Sequence, residues 1–364
     1  MSRIFFLAAA DSIHSHRWIH FFAKKGHDVH WASLTPFTDK PGDITCYDLS
    51  GGTKLVSFVR AAMRIRSLVA DIKPDILHAH YAGTYGVLGA LANFQPYVLT
   101  AWGSDVLLVG AERIRGLAVR WALRSAKLIT CDAYHMIDAM RALGVDESKI
   151  ELNYFGIDTD RFTPGPPDDE IVGRWGARGR SVVISLRSLE PIYDIETLLN
   201  AIPAVVKELP EVLFVVCGSG SEAVNLKRIA NGLAIDRNIL FAGRYAHAEL
   251  PRMLRSADAY VSTSLSDAGI AASTAEAMAC GVPVVVSSTG ENDRWIEEAQ
   301  NGFLFAAKDS TTLSARLVHI LKDKEMSQRV GAAGRQVVVE RNSYQREMEK
   351  MERAYRTLAP SMTR

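Results

Sequence analysis

The sequence predicts an α/β protein made of two doubly wound halves, each with a parallel sheet and helices on both faces. Three observations predict this. Short apolar runs alternate with stretches of helical spacing along the chain, which is the pattern of repeated β-α-β units. The alternation breaks at the proline-rich segment 163–169 and then restarts. The length of 364 residues is enough for two domains of ordinary size.

In the first half, the predicted strands are at residues 4–10, 29–33, 75–80, 97–102 and 127–131. The predicted helices are at 14–25, 54–72, a stretch that ends near 94, and 115–126. The first apolar run could pass for a short signal peptide. It is only seven residues long, however, and charged residues follow it closely, so we favour a buried first strand.

In the second half, the predicted strands are at residues 181–186, 212–217, 239–241, 259–263 and 282–287. Segment 163–169 has three prolines, a glycine and two acidic residues, which is typical of an exposed linker. We therefore expect domains at 1–165 and 166–342, with an interdomain cleft that binds the ligands beyond the carboxyl ends of the strands. Segment 343–364 is predicted to be mainly a charged helix that packs back on the first domain.

The composition excludes several classes of protein. Apolar residues make up 48% and charged residues 23%, which excludes a disordered chain. The net charge of +1 argues against a nucleic-acid partner bound by bulk charge. The cysteines are far apart and form no C-x-x-C motif, as expected of a cytoplasmic protein without a disulfide scaffold. These cysteines are Cys46, Cys131, Cys217 and Cys280.

The strongest local signal is segment 264–285, where a strand, a glycine turn and a helix of small residues follow one another. Free N–H groups at the start of this helix can bind an anion, and the helix dipole supports this. The residues assigned to this site are Gly269, Ile270, Ala271, Ser273 and Thr274. Glu276 lies about one turn further on, where its carboxylate can accept hydrogen bonds from two ribose hydroxyls. On local chemistry alone, a tightly packed helix with one solvated glutamate remains an equal alternative.

Residues 276–285, Glu-Ala-Met-Ala-Cys-Gly-Val-Pro-Val-Val, resemble the signature of the retaining glycosyltransferases of family 4. Similar segments elsewhere are 217–220, 241–244, 257–261 and 301–304, and the resemblance covers nearly the whole chain. It implies the GT-B fold, in which two Rossmann-like domains face an interdomain cleft. It also implies that the second domain binds a nucleotide diphosphate sugar and the first binds the acceptor. Segments 12–18 and 99–105 resemble a bacterial surface-polysaccharide subgroup.

The resemblance assigns donor-side roles in the second domain, with two departures from the family pattern. Arg187 matches the family's diphosphate-binding arginine, but Ile192 or Tyr193 occupies the place of the lysine that follows it. The first acid of the signature falls on Ala268, and Asp267 stands one residue earlier. Further donor-side residues are Gly218 and Arg244. The role of Asp267 in sugar binding is therefore an expectation that depends on a shifted loop.

On the acceptor side, Asp105 follows a predicted strand and Trp102 stands where family members often carry a histidine. Asp105 is predicted to orient the acceptor hydroxyl, with capping of the following helix as an equal alternative. His14 is predicted to contact the acceptor or the donor. With His16, His78 and His80 it could form a metal site on paper, but no carboxylate is obviously paired with them, so we predict no metal.

Residues 113–127 include five basic residues and no acid, with Leu117 and Trp121 beside the basic stripe. A basic amphipathic helix that contains tryptophan can lie on an anionic membrane. The alternative is a core-packed helix with a solvated basic edge. We therefore expect a cytoplasmic protein with a candidate peripheral contact to the inner face of the plasma membrane.

The function expected from the resemblance is metal-independent transfer of a sugar from a nucleotide diphosphate sugar, with UDP favoured, to a glycan or lipid-linked acceptor in polysaccharide biosynthesis. No cofactor is predicted. A dinucleotide-dependent oxidoreductase is disfavoured because residues 7–12, at the end of the first predicted strand and just after it, contain no glycine. A non-catalytic nucleotide-sugar-binding or regulatory protein remains the alternative, because Ala268 and the missing lysine depart from the family pattern.

Overall fold

The computed structural model describes residues 1–51, 54–107, 113–267 and 269–359. Within these ranges, the side chains of 54, 55 and 113–115 are not described. The chain forms two compact units. The first comprises Met1–Phe155 together with Gln345–Arg364, and the second comprises Gly156–Tyr344. The chain thus enters the second unit at Gly156, ahead of the expected boundary at 165.

The first unit contains one parallel sheet. Its strands are β1 (Arg3–Leu7), β2 (Asp28–Ser33), β3 (Thr45–Asp48), β4 (Ile76–His80), β5 (Tyr97–Thr100), β6 (Leu128–Cys131) and β7 (Ile150–Leu152). They pair in the order β3-β2-β1-β4-β5-β6-β7. The helices are α1 (Ile13–Lys24), α2 (Lys54–Ile72), α3 (Thr84–Leu91), α4 (Ser104–Leu107), α5 (Arg113–Ser125) and α6 (Tyr134–Ala142).

The second unit contains a second parallel sheet. Its strands are β8 (Val182–Ser185), β9 (Leu213–Cys217), β10 (Ile239–Gly243), β11 (Ala259–Ser262), β12 (Val284–Ser287) and β13 (Phe303–Phe305). They pair in the order β10-β9-β8-β11-β12-β13. The helices are α7 (Asp169–Trp175), α8 (Ile195–Glu208), α9 (Ala223–Gly232), α10 (Leu250–Arg255), α11 (Ala272–Ala279), α12 (Asn292–Trp295), α13 (Ser310–Lys322) and α14 (Lys324–Arg341). The final helix, α15 (Tyr344–Leu358), follows.

The predicted fold class, two doubly wound parallel sheets, is confirmed. Alternation along β1 shows how both faces of the first sheet are covered. Phe5 and Leu7 join a core that includes residues of α2, α3 and α5, whereas Phe6 points the other way, to Phe22 of α1. The strands missed by the sequence analysis, β3, β7 and β13, are short and lie at sheet edges.

The strand order reverses at one place in each sheet, and the reversal determines where a ligand can enter. In the first sheet the order reverses between β1 and β4, and in the second between β8 and β11. At such a point, the chain leaves neighbouring strands in opposite directions, and a crevice opens beyond their carboxyl ends. The residues that follow these four strands are therefore the first candidates for function.

Segment 163–169 is part of the second unit. Most of it is exposed, as predicted, but contacts within the unit hold both of its ends. A Cβ on Gly281 would lie 3.2 Å from Pro164. The Asp168 carboxylate caps α7 by accepting hydrogen bonds from the N–H groups of Glu170 and Ile171, and it also pairs with Arg252. The proline-rich composition therefore correctly indicates exposure, although the segment does not join the units.

Helix α15 packs within the first unit through buried polar contacts as well as apolar ones. The ring of Tyr355 is fully buried and stacks on Phe22, with centroids 4.9 Å apart. Its hydroxyl forms a hydrogen bond with Nδ1 of His78 on β4. Nearer the start of the helix, the Glu347 carboxylate accepts a 2.8 Å hydrogen bond from the N–H of Tyr154. The helix is therefore an integral part of this unit.

Of the helices in the described ranges, none is both long and apolar enough to span a membrane.

The Tyr355–His78 contact predicts the effect of Tyr355→Phe. The variant keeps the ring but leaves Nδ1 of a fully buried histidine without a partner. We expect a loss of about 1–3 kcal/mol in the free energy of unfolding, measured by urea denaturation. The matched control is Tyr47→Phe, which removes a half-buried hydroxyl from a similar contact with His30. A larger loss for the control would contradict this account.

Candidate functional site

The loops after β8 and β11 bring Arg187 and Asp267 together. The two side chains form an ion pair, and each is only 10% exposed. The guanidinium carbon of Arg187 also lies 4.3 Å from the ring centroid of Tyr193. Burial opposes the charged guanidinium, but the nearby Tyr260 hydroxyl and Asp267 carboxylate outweigh this, so the pKa of Arg187 lies above its ordinary value. Arg187 thus keeps its positive charge in a desolvated position.

Asp267 is held at this place by its loop. The N–H of Leu265 donates to the carbonyl of Ile192, and the Thr263 hydroxyl donates to the carbonyl of Tyr193, both at 2.8 Å. One carboxylate oxygen of Asp267 pairs with Arg187, while the other is buried and has no hydrogen-bond partner among the described residues. Burial raises the pKa of Asp267, and the charge of Arg187 opposes this rise. The free oxygen is available to a ligand group that can donate a hydrogen bond.

Gly218 allows the loop after β9 to approach the loop that carries Arg187. Its φ of +126° is unfavourable for a residue with a side chain, and a Cβ would lie 2.6 Å from the carbonyl oxygen of Arg187. The next loop contact is the hydrogen bond from the N–H of Leu189 to the carbonyl of Ser219. Gly218 therefore shapes the site through backbone contact with the arginine loop.

Helix α11 places Glu276 at the same edge of the sheet. The residue before the helix, Ala271, is extended and provides no side-chain cap, so the first N–H groups of the helix are not capped by its side chain. Glu276 is only 7% exposed, and its carboxylate oxygen lies 3.4 Å from Nε2 of His247. The carboxylate and the uncapped helix start thus belong to one structural element, as the sequence predicted.

The two hydroxyls predicted to bind the anion are already engaged. Ser273 forms a 2.8 Å hydrogen bond with the Tyr260 hydroxyl, and Thr274 donates to the same atom at 3.4 Å. Thr274 is also only 1% exposed, which places its side chain inside the fold. Gly269 and Ile270 precede the helix and are half-buried. Backbone N–H groups are therefore better placed than these two hydroxyls to meet an anion.

Three further residues of the second unit lie in the loop that follows β10. Arg244 is exposed and makes no hydrogen bond or ion pair with another described residue. His247 and Tyr245, which follow it, were not predicted. Burial and the charge of Glu276 both raise the pKa of Tyr245. The sequence signal that pointed to this loop was the resemblance of segment 241–244 to the family. Ala268, the residue at the first-acid position, lies outside the described residues.

In the first unit, Asp105 holds two loops together. One carboxylate oxygen accepts a 2.6 Å hydrogen bond from the N–H of Ala82, after β4, and the other accepts a 3.0 Å bond from the N–H of Trp102, after β5. The side chain is only 2% exposed, and burial raises its pKa. Asp105 lies inside α4 rather than before it, so its carboxylate is not an N-cap as one alternative supposed. Its two oxygens are occupied by backbone groups.

His14 lies in the first turn of α1, next to the reversal point of the first sheet. Its ring stacks on Trp102 with centroids 4.9 Å apart and meets Phe155 edge-on at 4.6 Å. Burial and the charge of Arg17 lower the pKa of His14. Its Nδ1 atom is buried and has no hydrogen-bond partner among the described residues. A neutral His14 can therefore exchange hydrogen bonds with a ligand at this edge.

The other three histidines that were considered for a metal site have different surroundings. His16 contacts the carbonyl of Ala10 at 2.7 Å, whereas His78 lies between Tyr355 and Thr100. His80 is enclosed by aromatic rings, and burial lowers its pKa to about 3. Within the described ranges, no group of three or more histidine, cysteine or acidic side chains is placed to hold a metal ion.

Comparison with known proteins identifies the chain. Residues 169–337 match the family model of glycosyl transferases group 1, and residues 3–133 match the model described as glycosyl transferase 4-like. The chain belongs to the family 4 glycosyltransferases. The two matches fall one in each compact unit.

Two curated relatives of this glycosyltransferase show the range of the family. The N-acetyl-alpha-D-glucosaminyl L-malate synthase of Bacillus anthracis is 23% identical over 273 residues, covering 73% of this chain and 70% of the relative. The phosphatidyl-myo-inositol mannosyltransferase of Mycobacterium leprae is 27% identical over 300 residues, covering 82% of this chain and 77% of the relative. The relatives are named for different sugars and acceptors.

Solved structures with the same fold cover almost the whole chain. Anabaena HepE, solved in complex with UDP, has a TM-score of 0.82 at 18% identity and covers 98% of this chain and 100% of its own. The sucrose-phosphate synthase of Thermosynechococcus elongatus has a TM-score of 0.81 at 17% identity, covering 99% and 100% of the two chains. At this level of identity, the likeness shows the fold, and it confirms the predicted GT-B class.

The contacts of Asp105 predict that Asp105→Ala destabilises the glycosyltransferase. The substitution leaves the buried N–H of Ala82 and the partly buried N–H of Trp102 without their carboxylate acceptor. We expect a loss of about 3 kcal/mol in the free energy of unfolding, measured by urea denaturation. The control is Asp146→Ala, which removes an exposed cap and should cost much less than the loss of the Asp105 carboxylate. If Asp105→Ala keeps its stability and loses only activity, Asp105 acts on the acceptor instead.

Proposed function

We propose that the chain is a retaining glycosyltransferase that uses a nucleotide diphosphate sugar, with a UDP-sugar favoured. The acceptor is a hydroxyl of a glycan or of a lipid-linked molecule, in polysaccharide biosynthesis. The observation that carries the proposal is the buried Arg187 beside the loop before α11, with Glu276 on that helix, at the reversal point of the second sheet. The UDP and UDP-glucose complexes of Anabaena HepE support the choice of donor.

In the proposed reaction, the bond between the anomeric carbon and the diphosphate breaks, and a bond from the acceptor oxygen to that carbon forms. Negative charge builds on the leaving diphosphate, which also takes up the acceptor proton. Arg187 and the uncapped start of α11 oppose this charge. The proposed transfer is metal-independent because these groups can supply the positive potential. The proposed role of Glu276 is to accept hydrogen bonds from the ribose hydroxyls.

The acceptor is proposed to bind to the first unit, at the reversal point of its sheet. His14 is the residue proposed to contact it, because its Nδ1 atom is buried, has no hydrogen-bond partner among the described residues, and its ring lies on Trp102. The proposed role of Asp105 is to position the Trp102 loop, which lies under His14. This revises the expected direct contact between Asp105 and the acceptor.

The proposal also includes a place in the cell. We propose a cytoplasmic protein that contacts the inner face of the plasma membrane through residues 113–127. Access to a lipid-linked acceptor is the reason for such a contact. The side chains of Leu117 and Trp121 support it, because both are exposed rather than packed in the core.

The donor site predicts how substitutions change nucleotide binding. We expect UDP to bind more tightly than GDP, ADP or CMP in a calorimetric titration. Arg187→Ala should weaken UDP binding on the order of tenfold to a hundredfold, because a charge-assisted contact is lost. Glu276→Ala should weaken it about tenfold. The controls Arg174→Ala and Glu208→Ala change exposed charges of the same unit and should have no effect.

Activity distinguishes an enzyme from a non-catalytic binding protein. The measurement is release of UDP from a UDP-sugar with candidate acceptors, together with the anomeric configuration of the product by NMR. Retention of configuration is expected, and Glu276→Ala should lower kcat/KM by about tenfold or more, because the ribose loses its carboxylate partner. Tight nucleotide binding without turnover for any donor would favour the non-catalytic alternative. Binding that ignores both Arg187 and Glu276 would show that the donor site is elsewhere.

The Arg187–Asp267 ion pair predicts an unusual effect of Asp267→Asn. An incoming diphosphate must share Arg187 with a carboxylate that already neutralises it. Removing that negative charge should therefore tighten binding of free UDP by roughly tenfold, because like charges at short range repel strongly in a desolvated site. The turnover of the UDP-sugar should fall if Asp267 also contacts the sugar.

The control for this variant is Asp236→Asn, which removes an exposed charge from the same unit. It should leave the UDP affinity unchanged. Weaker UDP binding by Asp267→Asn would contradict the account, since it would mean that the carboxylate holds Arg187 in the position that the nucleotide needs.

A further inference from the structure

Large apolar side chains are exposed on two helices of the first unit. Of eleven such side chains in the described part of the chain, five are on α2 and α5. They are Val56, Val59 and Met63 on α2, and Leu117 and Trp121 on α5. Single exposed apolar residues need no explanation, but a concentration on neighbouring elements indicates an interaction surface.

Helix α2 is apolar on two opposite sides. At about 100° per residue, Val56, Val59 and Met63 fall within an arc of about 60°. The centre of this arc points away from the side that packs in the core. That side consists mainly of Ala61, Ile65 and Leu68, which are at most 2% exposed. The core therefore accounts for one apolar side of α2 and leaves the other unexplained.

Arginines flank the exposed apolar side of α2. On the helix, Arg60 and Arg64 lie on one side of it and Arg66 on the other. Helix α5 and the residues after it continue the basic character with Arg120, Arg124 and Lys127. None of these six side chains forms a salt bridge with another described residue. The acceptors they do meet are neutral, such as the Leu91 carbonyl, 2.7 Å from Arg66.

The two helices lie on the same face of the sheet, with α3 packed between them. The helices α2, α3 and α5 carry one acidic residue, Asp71, near the end of α2. Between α2 and α3 is an apolar groove lined by Phe58, Val59, Ala62, Met63, Arg66 and Leu91. The chain as a whole has a net charge of only +1, so the unpaired positive charge is a local property of this face.

We propose that α2 and α5 together form a docking face for an anionic lipid bilayer. The proposal adds α2 to the membrane contact proposed for residues 113–127. It rests on the proposed function in one respect only, since the reason for docking is access to a lipid-linked acceptor. Charge complementarity selects a negative partner. The exposed valine, methionine, leucine and tryptophan side chains select a bilayer, because they gain by leaving water for the interface. A nucleic-acid backbone offers no apolar environment in which such side chains could be buried.

The experiment is co-flotation of the full chain with vesicles of phosphatidylcholine alone or of an equal mixture with phosphatidylglycerol. We expect binding to the anionic vesicles and much weaker binding to the neutral ones, with a decrease at high salt. The combined variant Arg60→Gln, Arg64→Gln and Arg66→Gln should weaken partitioning on the order of a hundredfold. Its matched control is Lys207→Gln, Lys308→Gln and Arg329→Gln, which removes exposed charges from the second unit and should bind like the wild type.

The apolar contribution is tested on each helix. The pairs Val59→Gln with Met63→Gln, and Leu117→Gln with Trp121→Gln, should each weaken partitioning about tenfold. The control is Val224→Gln, an exposed valine on α9, which should have no effect. Circular dichroism and UDP calorimetry check folding and the donor site separately, so a failure of docking is distinguishable from a failure of the proposed function.

Three results would overturn the proposal. The wild type could fail to bind anionic vesicles, or the α2 variants could float like the wild type. The arginine variant could instead lose binding to a double-stranded oligonucleotide while vesicle binding is unchanged, which would assign the face to nucleic acid.

Discussion

The pairing of β8 with β11 is the constraint on which the donor-side arrangement depends. Arg187 and Asp267 are 80 residues apart in sequence, and they meet because their strands are neighbours at the point where the strand order reverses. The loops that carry them leave this point side by side. Gly218 lets a third loop close against the first, and α11 starts directly after the second. A buried positive charge, a buried acid and an uncapped helix start thus share one edge of a sheet.

Burial gives this ion pair its significance. An exposed pair would contribute little, since water competes for both charges. Arg187 and Asp267 are each 10% exposed, so each depends on the other for charge compensation, and removing one leaves an isolated buried charge. A diphosphate that approaches Arg187 must therefore displace the Asp267 carboxylate or share the Arg187 guanidinium with it. The absence of the family's lysine from the sequence increases the dependence on this single guanidinium, because Tyr193, near the lysine position, brings no positive charge.

Sequence analysis predicted the fold and the parts of the site that depend on local order. The strand-helix alternation gave both sheets, and the segment 276–285 located Glu276, because such patterns depend on residues close together in the chain. Long-range contacts could not be predicted. Neither the contact between His247 and Glu276 nor the Arg187–Asp267 pair produces a pattern in the spacing of nearby residues in the sequence. Likewise, the two N–H groups that occupy Asp105 come from different loops, so its sequence context suggested only an acceptor contact or a helix cap. The edge strands β7 and β13 have only three residues each, and β3, whose sequence is Thr-Cys-Tyr-Asp, lacks an apolar run.

Helix α2 shows a different limit of sequence analysis. Its apolar residues satisfy helical periodicity on two opposite sides, and periodicity alone does not tell which side is buried. The net charge of the chain is misleading in a similar way. At physiological ionic strength, charges interact over about 8 Å, so a partner that meets α2 and α5 responds to the unpaired basic residues there. Apart from Asp71 on α2, the acidic residues that bring the total to +1 lie elsewhere than on these helices, many of them paired with basic residues. A near-neutral chain can therefore present a strongly basic face, and the argument from total charge excludes only partners that depend on the total.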